Sequence, residues 1–148
     1  MKLFNVKEIM DSLHRDISAD LERTGYRVLL NIVYATPVGD PALWQSKAPA
    51  AYTPGHARFN WHCSIGAKST GELDGFDTIG ATVMLREMKF IARWAKDKKR
   101  PQLHIQNNVP YIERLNDGWS SQAPAGFVEK AALAATGPSG DGGRRQLR

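Results

Sequence analysis

The chain has a single cysteine, Cys63, in 148 residues, so no internal disulfide can hold it together and its stability must come from a packed core. Long hydrophobic runs are missing as well. Apolar runs such as Val28–Leu30 and Ile32–Val33, split by Asn31, are short, whereas a bilayer crossing takes roughly 20 such residues. No membrane partner is expected. Met1–Met10 lacks an apolar stretch leading to a small-residue cleavage site, which predicts a chain made in the cytoplasm and not exported by a signal peptide. Neither the phosphate-loop pattern nor the dinucleotide fingerprint occurs, so nucleotide hydrolysis has no visible machinery.

Acidic residues are in the minority: 15 Asp and Glu face 20 Lys and Arg, for a net charge of +5. This suits an acidic partner without identifying one. At 42% hydrophobic and 24% charged, the composition is that of an ordinary globular protein. The length fits one domain of about 100–200 residues. Residues 1–136 are read as that domain. Residues 137–148 are rich in Gly and Arg, with Leu147 alone apolar, and are read as a flexible tail. Its Arg144, Arg145 and Arg148 could add to any acidic contact.

Asn5 followed by Glu8 has capping-box spacing, so a helix is predicted to begin there. Met10, Leu13, Ile17 and Leu21 then recur at helical spacing as one apolar stripe, and the pattern resumes from Val28 to Val33. Gly25 leaves open whether this is one helix or two. From Ala35 to Gly55, five prolines and glycines beyond Thr36 and before Gly55 exclude regular structure. A loop of this length is usually functional or flexible. Its Trp44 and Tyr52 imply packing against the domain or a partner.

Residues 58–66 alternate, with Phe59, Trp61, Cys63 and Ile65 on one face, and are read as a half-buried strand. Residues 66–77 read as an exposed excursion in which Asp74 and Asp77 are simply solvated. A helix is predicted over Ile79–Lys99, with Met84, Met88, Ile91 and Ala95 as its apolar stripe. A second strand follows at 102–106, then a bend, a helical turn near Tyr111–Leu115 and a last short helix over Phe127–Ala135. Together these predict an α+β fold: a small antiparallel sheet packed with N-terminal helices and one central amphipathic helix, with long loops.

Catalysis would have to start from His56, His62, Cys63 and His104, whose spacing matches no ligand or nucleophile pattern. Cys63 and His62 point to opposite strand faces, while His62 and His104 would be neighbours only if their strands pair. Glu113 and Asp117 form an exposed i, i+4 pair. We therefore expect no enzyme, no cofactor and no metal site. A better signal is the series Arg86, Lys89, Arg93, Lys96 and Arg100, which places positive charge along one helical face. Such a face suits phosphate contact without base reading, an acidic protein surface, or plain solvation.

Three segments carry a resemblance. Thr36-Pro-Val-Gly-Asp-Pro-Ala-Leu-Trp44 leads into the Pro-rich loop, Gly55-His-Ala-Arg-Phe-Asn-Trp61 enters the first strand, and Asn107-Asn-Val-Pro-Tyr-Ile-Glu-Arg-Leu115 precedes Gly118-Trp-Ser-Ser-Gln-Ala-Pro-Ala-Gly126. In this order they resemble the neck and tail-completion proteins of tailed double-stranded DNA bacteriophages, the head–tail connector or minor tail protein Z-like family, over roughly residues 5–135. The resemblance implies a structural virion protein at the head–tail junction or upper tail, without catalysis. It also implies a ring of six copies of the chain, contacts with portal-side, connector or tail proteins, and packaged double-stranded DNA nearby. The long insertion between Val38 and Gly55 departs from the commoner family pattern.

On this reading Trp44, Tyr52, Arg58, Asn60, Trp61, Tyr111, Trp119, Gln122 and Pro124 either build the monomer's scaffold or touch neighbouring subunits. Exposed edges of a small sheet would be covered by those neighbours. The alternative is a basic nucleic-acid-binding protein acting outside the particle.

Overall fold

A computed structural model describes residues 5–43, 47, 50 and 52–136. Trp44 and the tail at 137–148 lie outside the described residues. In chain order the elements are α1 (Val6–Ala35), a short 3-10 turn (Pro41–Leu43), α2 (His56–Phe59), β1 (His62–Ile65), α3 (Ala81–Lys96), β2 (Leu103–Gln106), α4 (Ile112–Asn116) and α5 (Phe127–Thr136). The fold is α+β: β1 and β2 form a two-stranded antiparallel sheet that pairs His62 with Gln106 and Ile65 with Leu103.

α1 begins where its cap places it. The Asn5 side chain accepts hydrogen bonds from the backbone N–H groups of Lys7 and Glu8. It then runs unbroken for 30 residues, about 45 Å at the usual rise. Gly25 lies inside it because α3 comes so close that a Cβ there would sit 2.7 Å from the Ile91 Cγ2. The two helices are antiparallel: Gly80, at the start of α3, abuts Val33, while the Arg100 guanidinium beyond its end reaches His14 at 3.1 Å. α1 also packs on α5, where Asn31 donates to the Ala131 carbonyl at 3.2 Å. α3 in turn packs on β1. Leu29, Ile32, Val33, Trp61, Cys63, Val83, Ile91 and Ala131 form the core between these layers.

Three expectations are corrected. The strand predicted from residue 58 starts at His62, because residues 56–59 make a helical turn entered through Gly55 at a φ of 91°. A Cβ at Gly55 would meet the Asp77 carbonyl oxygen at 2.7 Å, so both the backbone angle and the space call for glycine. The central helix is shorter than predicted and rotated about its axis. Its buried face is Val83, Glu87, Ile91 and Ala95, with Met84 half-buried and Met88 exposed. Finally, the α1 stripe of Met10, Leu13 and Ile17 faces outward, since α3 and α5 contact a different side of the helix, through Ser18, Gly25, Leu29, Ile32 and Val33.

Asp77 is the other departure: it is buried, not solvated. One carboxylate oxygen accepts from the N–H groups of Ile79 (3.1 Å) and Gly80 (2.7 Å), the other from that of Val83 (3.0 Å), so it caps α3 although Gly80 occupies the cap position. Burial works against its charge, but the backbone donors of Val83, Gly80, Ile79 and Thr82 outweigh it and hold the pKa below the usual carboxylate range. Because the folded value lies below the unfolded one, this stabilisation is present at neutral pH and lost as pH falls through the folded value. Asp77→Ala is expected to cost about 1–2 kcal/mol, as lost helix caps do. Asp77→Asn should flatten the acid limb of stability against pH, as read by urea titration at stepped pH.

Candidate functional site

Residues 36–43, 55–61 and 107–126 converge in space, and much of what they do is hold loops together. Arg58 donates to the carbonyls of Thr36 (2.7 Å from Nη2) and Thr78 (2.5 Å from Nη1), tying the end of α1 to the approach to α3. Fully buried Asn60 accepts from the Leu73 N–H at 2.7 Å and donates to the Leu73 carbonyl at 3.1 Å, closing the excursion before α3. The Trp61 indole fills the core while its Nε1 donates to the Thr36 hydroxyl at 2.7 Å. Asn107 donates to the Ala57 carbonyl at 2.7 Å. Gln122, 83 residues beyond Gly39, accepts from the N–H groups of Gly39 and Asp40 at 3.2 and 3.3 Å. Arg58, Asn60, Trp61 and Gln122 thus bond within the chain.

Of the remaining described residues of the set, Tyr52, Tyr111 and Trp119 line an open groove of about 1000 Å³ bounded by the Pro37–Leu43 segment, residues 52–57, the 74–76 turn and residues 111–122. Tyr52 anchors one wall by donating to the Gly39 carbonyl at 3.0 Å. Tyr111 and Trp119 are exposed on the other, Trp119 at 77%, with the Arg114 guanidinium 5.6 Å from its ring. Pro124 is exposed in the loop leading to α5. At the groove's floor His56 makes a 2.8 Å contact to the Gly75 carbonyl and a 3.0 Å contact to the Glu72 carboxylate. Burial alone would lower its pKa, but Glu72, Gly75 and Asp74 together raise it.

The nucleophile and ligand candidates are engaged in structure. Burial, reinforced by neighbouring Glu87, pushes the Cys63 thiol up to about 12, which removes its thiolate at neutral pH. His62 contacts the Asn60 carbonyl and the Ser69 hydroxyl, and His104 contacts the Gly66 carbonyl. With His62 opposite Gln106 and His104 opposite Ser64, the two histidines occupy diagonal positions on one sheet face. Among the described residues, no group of three His, Cys, Asp or Glu side chains is placed to hold a metal ion.

The basic series divides. Lys89, Arg93, Lys96 and Arg100 are exposed on or just beyond α3, so a positive outer face does exist. Arg86 leaves that face. Its guanidinium turns inward, pairs with the buried Glu87 carboxylate, donates to the Phe59 and Trp61 carbonyls at 2.9 and 2.7 Å, and stacks over the Phe59 ring. Glu87 itself accepts from the Cys63 N–H at 2.7 Å. In this register the Gly66 N–H bonds the Gln102 carbonyl, so Cys63 and Trp61 turn their backbone groups away from β2, toward the free edge of β1. The Arg86–Glu87 pair satisfies that edge from within the chain, so this part of the sheet is not open to a neighbouring subunit as expected.

No family model matches the chain, and no curated protein or solved structure matches it.

Among the described residues, no helix is long and apolar enough to cross a membrane.

Proposed function

We propose that this chain is a structural virion protein at the head–tail interface of a tailed bacteriophage, a neck or tail-completion subunit that assembles as a ring around the DNA channel. The observation that carries the reading is surface apolarity. The first half of α1 exposes Val6, Ile9, Met10, Leu13 and Ile17, each at 42% or more, and Trp119, Phe76 and Leu43 are exposed around the groove. A single chain presenting two such surfaces is suited to life in an assembly. The resemblance of the 36–44, 55–61 and 107–126 segments to neck proteins supplies the kind of assembly, and those segments build the groove together.

Electron microscopy of particles made when this gene is silenced tests the proposal, with the protein resupplied as control. Unjoined DNA-filled heads and tails, or tails with abnormal ends, are the expected result; complete, infectious particles would overturn it. Reversing the charges of Lys89, Arg93 and Lys96 is expected to lower infectious yield through failed assembly or lost genome retention. Unchanged yield would remove the outer face of α3 from the function.

That same face favours a second reading, a basic nucleic-acid-binding protein acting outside particles. Duplex DNA binding that weakens steeply with salt would support it, and no binding at low salt would dismiss it.

A further inference from the structure

We infer that the chain associates with itself head to tail, the exposed stripe on the first half of α1 in one copy docking on the outer face of α3 in the next. The inference rests on the assembly reading above and goes further by naming the two surfaces. Val6, Met10, Leu13 and Ile17 repeat at steps of four, three and four, which aligns them as a seam of the kind helices bury against one another. All four are exposed here, on a side of α1 that neither α3 nor α5 covers. The outer face of α3 offers the complementary pattern. Leu85 is 72% exposed on the same side as Lys89, Arg93 and Lys96, with the partly exposed Met88 and Phe90 on the two opposite borders of that face.

Charge decides between possible occupants. Between Val6 and Thr24 five carboxylates face three cations, with Asp16 and Asp20 flanking the seam. Pairing the stripe with its own copy would set two acidic helices side by side. Pairing it with α3 sets the acidic flank against Lys89, Arg93 and Lys96. The lengths agree too: residues 6–17 and residues 85–96 each span about 18 Å of helix. Where one pair of copies makes this contact once, without the reciprocal one, each pair keeps one free α1 stripe and one free α3 face, so the contact is heterologous and propagates from copy to copy, as a closed ring requires.

The test uses charge reversal and its rescue. One variant carries Asp16→Lys with Asp20→Lys, the other Lys89→Glu with Arg93→Glu; all four positions are exposed, and circular dichroism checks that both variants fold. In sedimentation at low salt each alone should associate about tenfold more weakly than the natural chain. An equimolar mixture should recover association, because every interface in it is again complementary. Cysteine cross-linking locates the contact and captures weak association. The natural thiol, Cys63, is buried and silent, so Leu13→Cys and Leu85→Cys chains joined by a short bis-maleimide should give mainly the mixed dimer.

A mixture that fails to recover, or Leu13→Cys chains that couple only to each other, would overturn the inference. If the natural chain associates while neither position cross-links, the interface lies elsewhere and the assembly reading survives alone. If it stays monomeric and uncross-linked at the highest concentration reached, both fail. Salt-sensitive duplex binding abolished by Lys89→Glu with Arg93→Glu, in a chain that never self-associates, would give the α3 face to nucleic acid.

Discussion

Arg86→Met is expected to lower the unfolding free energy by about 3–5 kcal/mol, the usual cost of leaving one member of a buried ion pair alone. Glu87 is 2% exposed and sits in the core-facing stripe of α3, so without the guanidinium its carboxylate has only the Cys63 N–H to balance it. The Phe59 and Trp61 carbonyls would lose their donor in the same step. Adding Glu87→Gln to Arg86→Met should recover part of the loss, because a neutral amide can still accept from Cys63 but carries no unpaired charge. Urea denaturation of the two single variants and the double variant measures the coupling. Simple additivity would show that the pair is not the unit that seals the edge of β1.

Trp61→Ala should cost a similar amount, about 3–5 kcal/mol, by emptying the largest volume in the core. Two terms contribute, and they can be separated. Trp61→Phe keeps most of the apolar filling but removes the indole N–H, leaving the buried Thr36 hydroxyl with its bond to the Ile32 carbonyl alone. That variant is expected to lose about 1 kcal/mol for the hydrogen bond plus a share of the packing. Thr36→Val in the Trp61→Phe background should then add little. A full additional loss on Thr36→Val would assign the hydroxyl's value to the end of α1 and not to the tryptophan.

These two sites also show what could be read in the sequence and what could not. Asn5 and the stripe after it located α1, and the antiparallel pairing of residues 62–65 with 103–106 lies inside the two predicted strands. Local chemistry is strong there, and nothing distant contradicts it. The phase of α3 was not legible because its buried face contains Glu87. A carboxylate in a core stripe looks like a surface residue until its neighbour Arg86 and the strand edge that uses both are known. The start of β1 was misplaced for a related reason. Phe59, Trp61 and Cys63 alternate as a strand would, yet Phe59 still belongs to the helical turn that Gly55 opens.

The capping role of Asp77 is not legible in the sequence because its partners are backbone amides, which leave no mark in side-chain identity. The groove could not be seen at all as a groove, since its walls come from four separate segments. Tyr52, Tyr111 and Trp119 are legible one by one, as large aromatic residues in segments rich in turn formers. The candidate contact surfaces on α1 and α3 were half legible: both stripes were found, but the direction that each faces depends on which neighbours the fold supplies.

The length of α1 has a dynamic consequence. Its second half is welded to α3 and α5 around Gly25, Leu29 and Val33, whereas its first half buries almost nothing of its own. A dozen helical residues without tertiary support are marginal in water, so this segment should open and close independently of the core. Amide hydrogen exchange would then divide one continuous helix into two cooperative units, fast before about residue 17 and protected to near the global limit after it. Burial of the early segment would merge the two, so the rate at which its amides exchange would itself report whether that helix is covered.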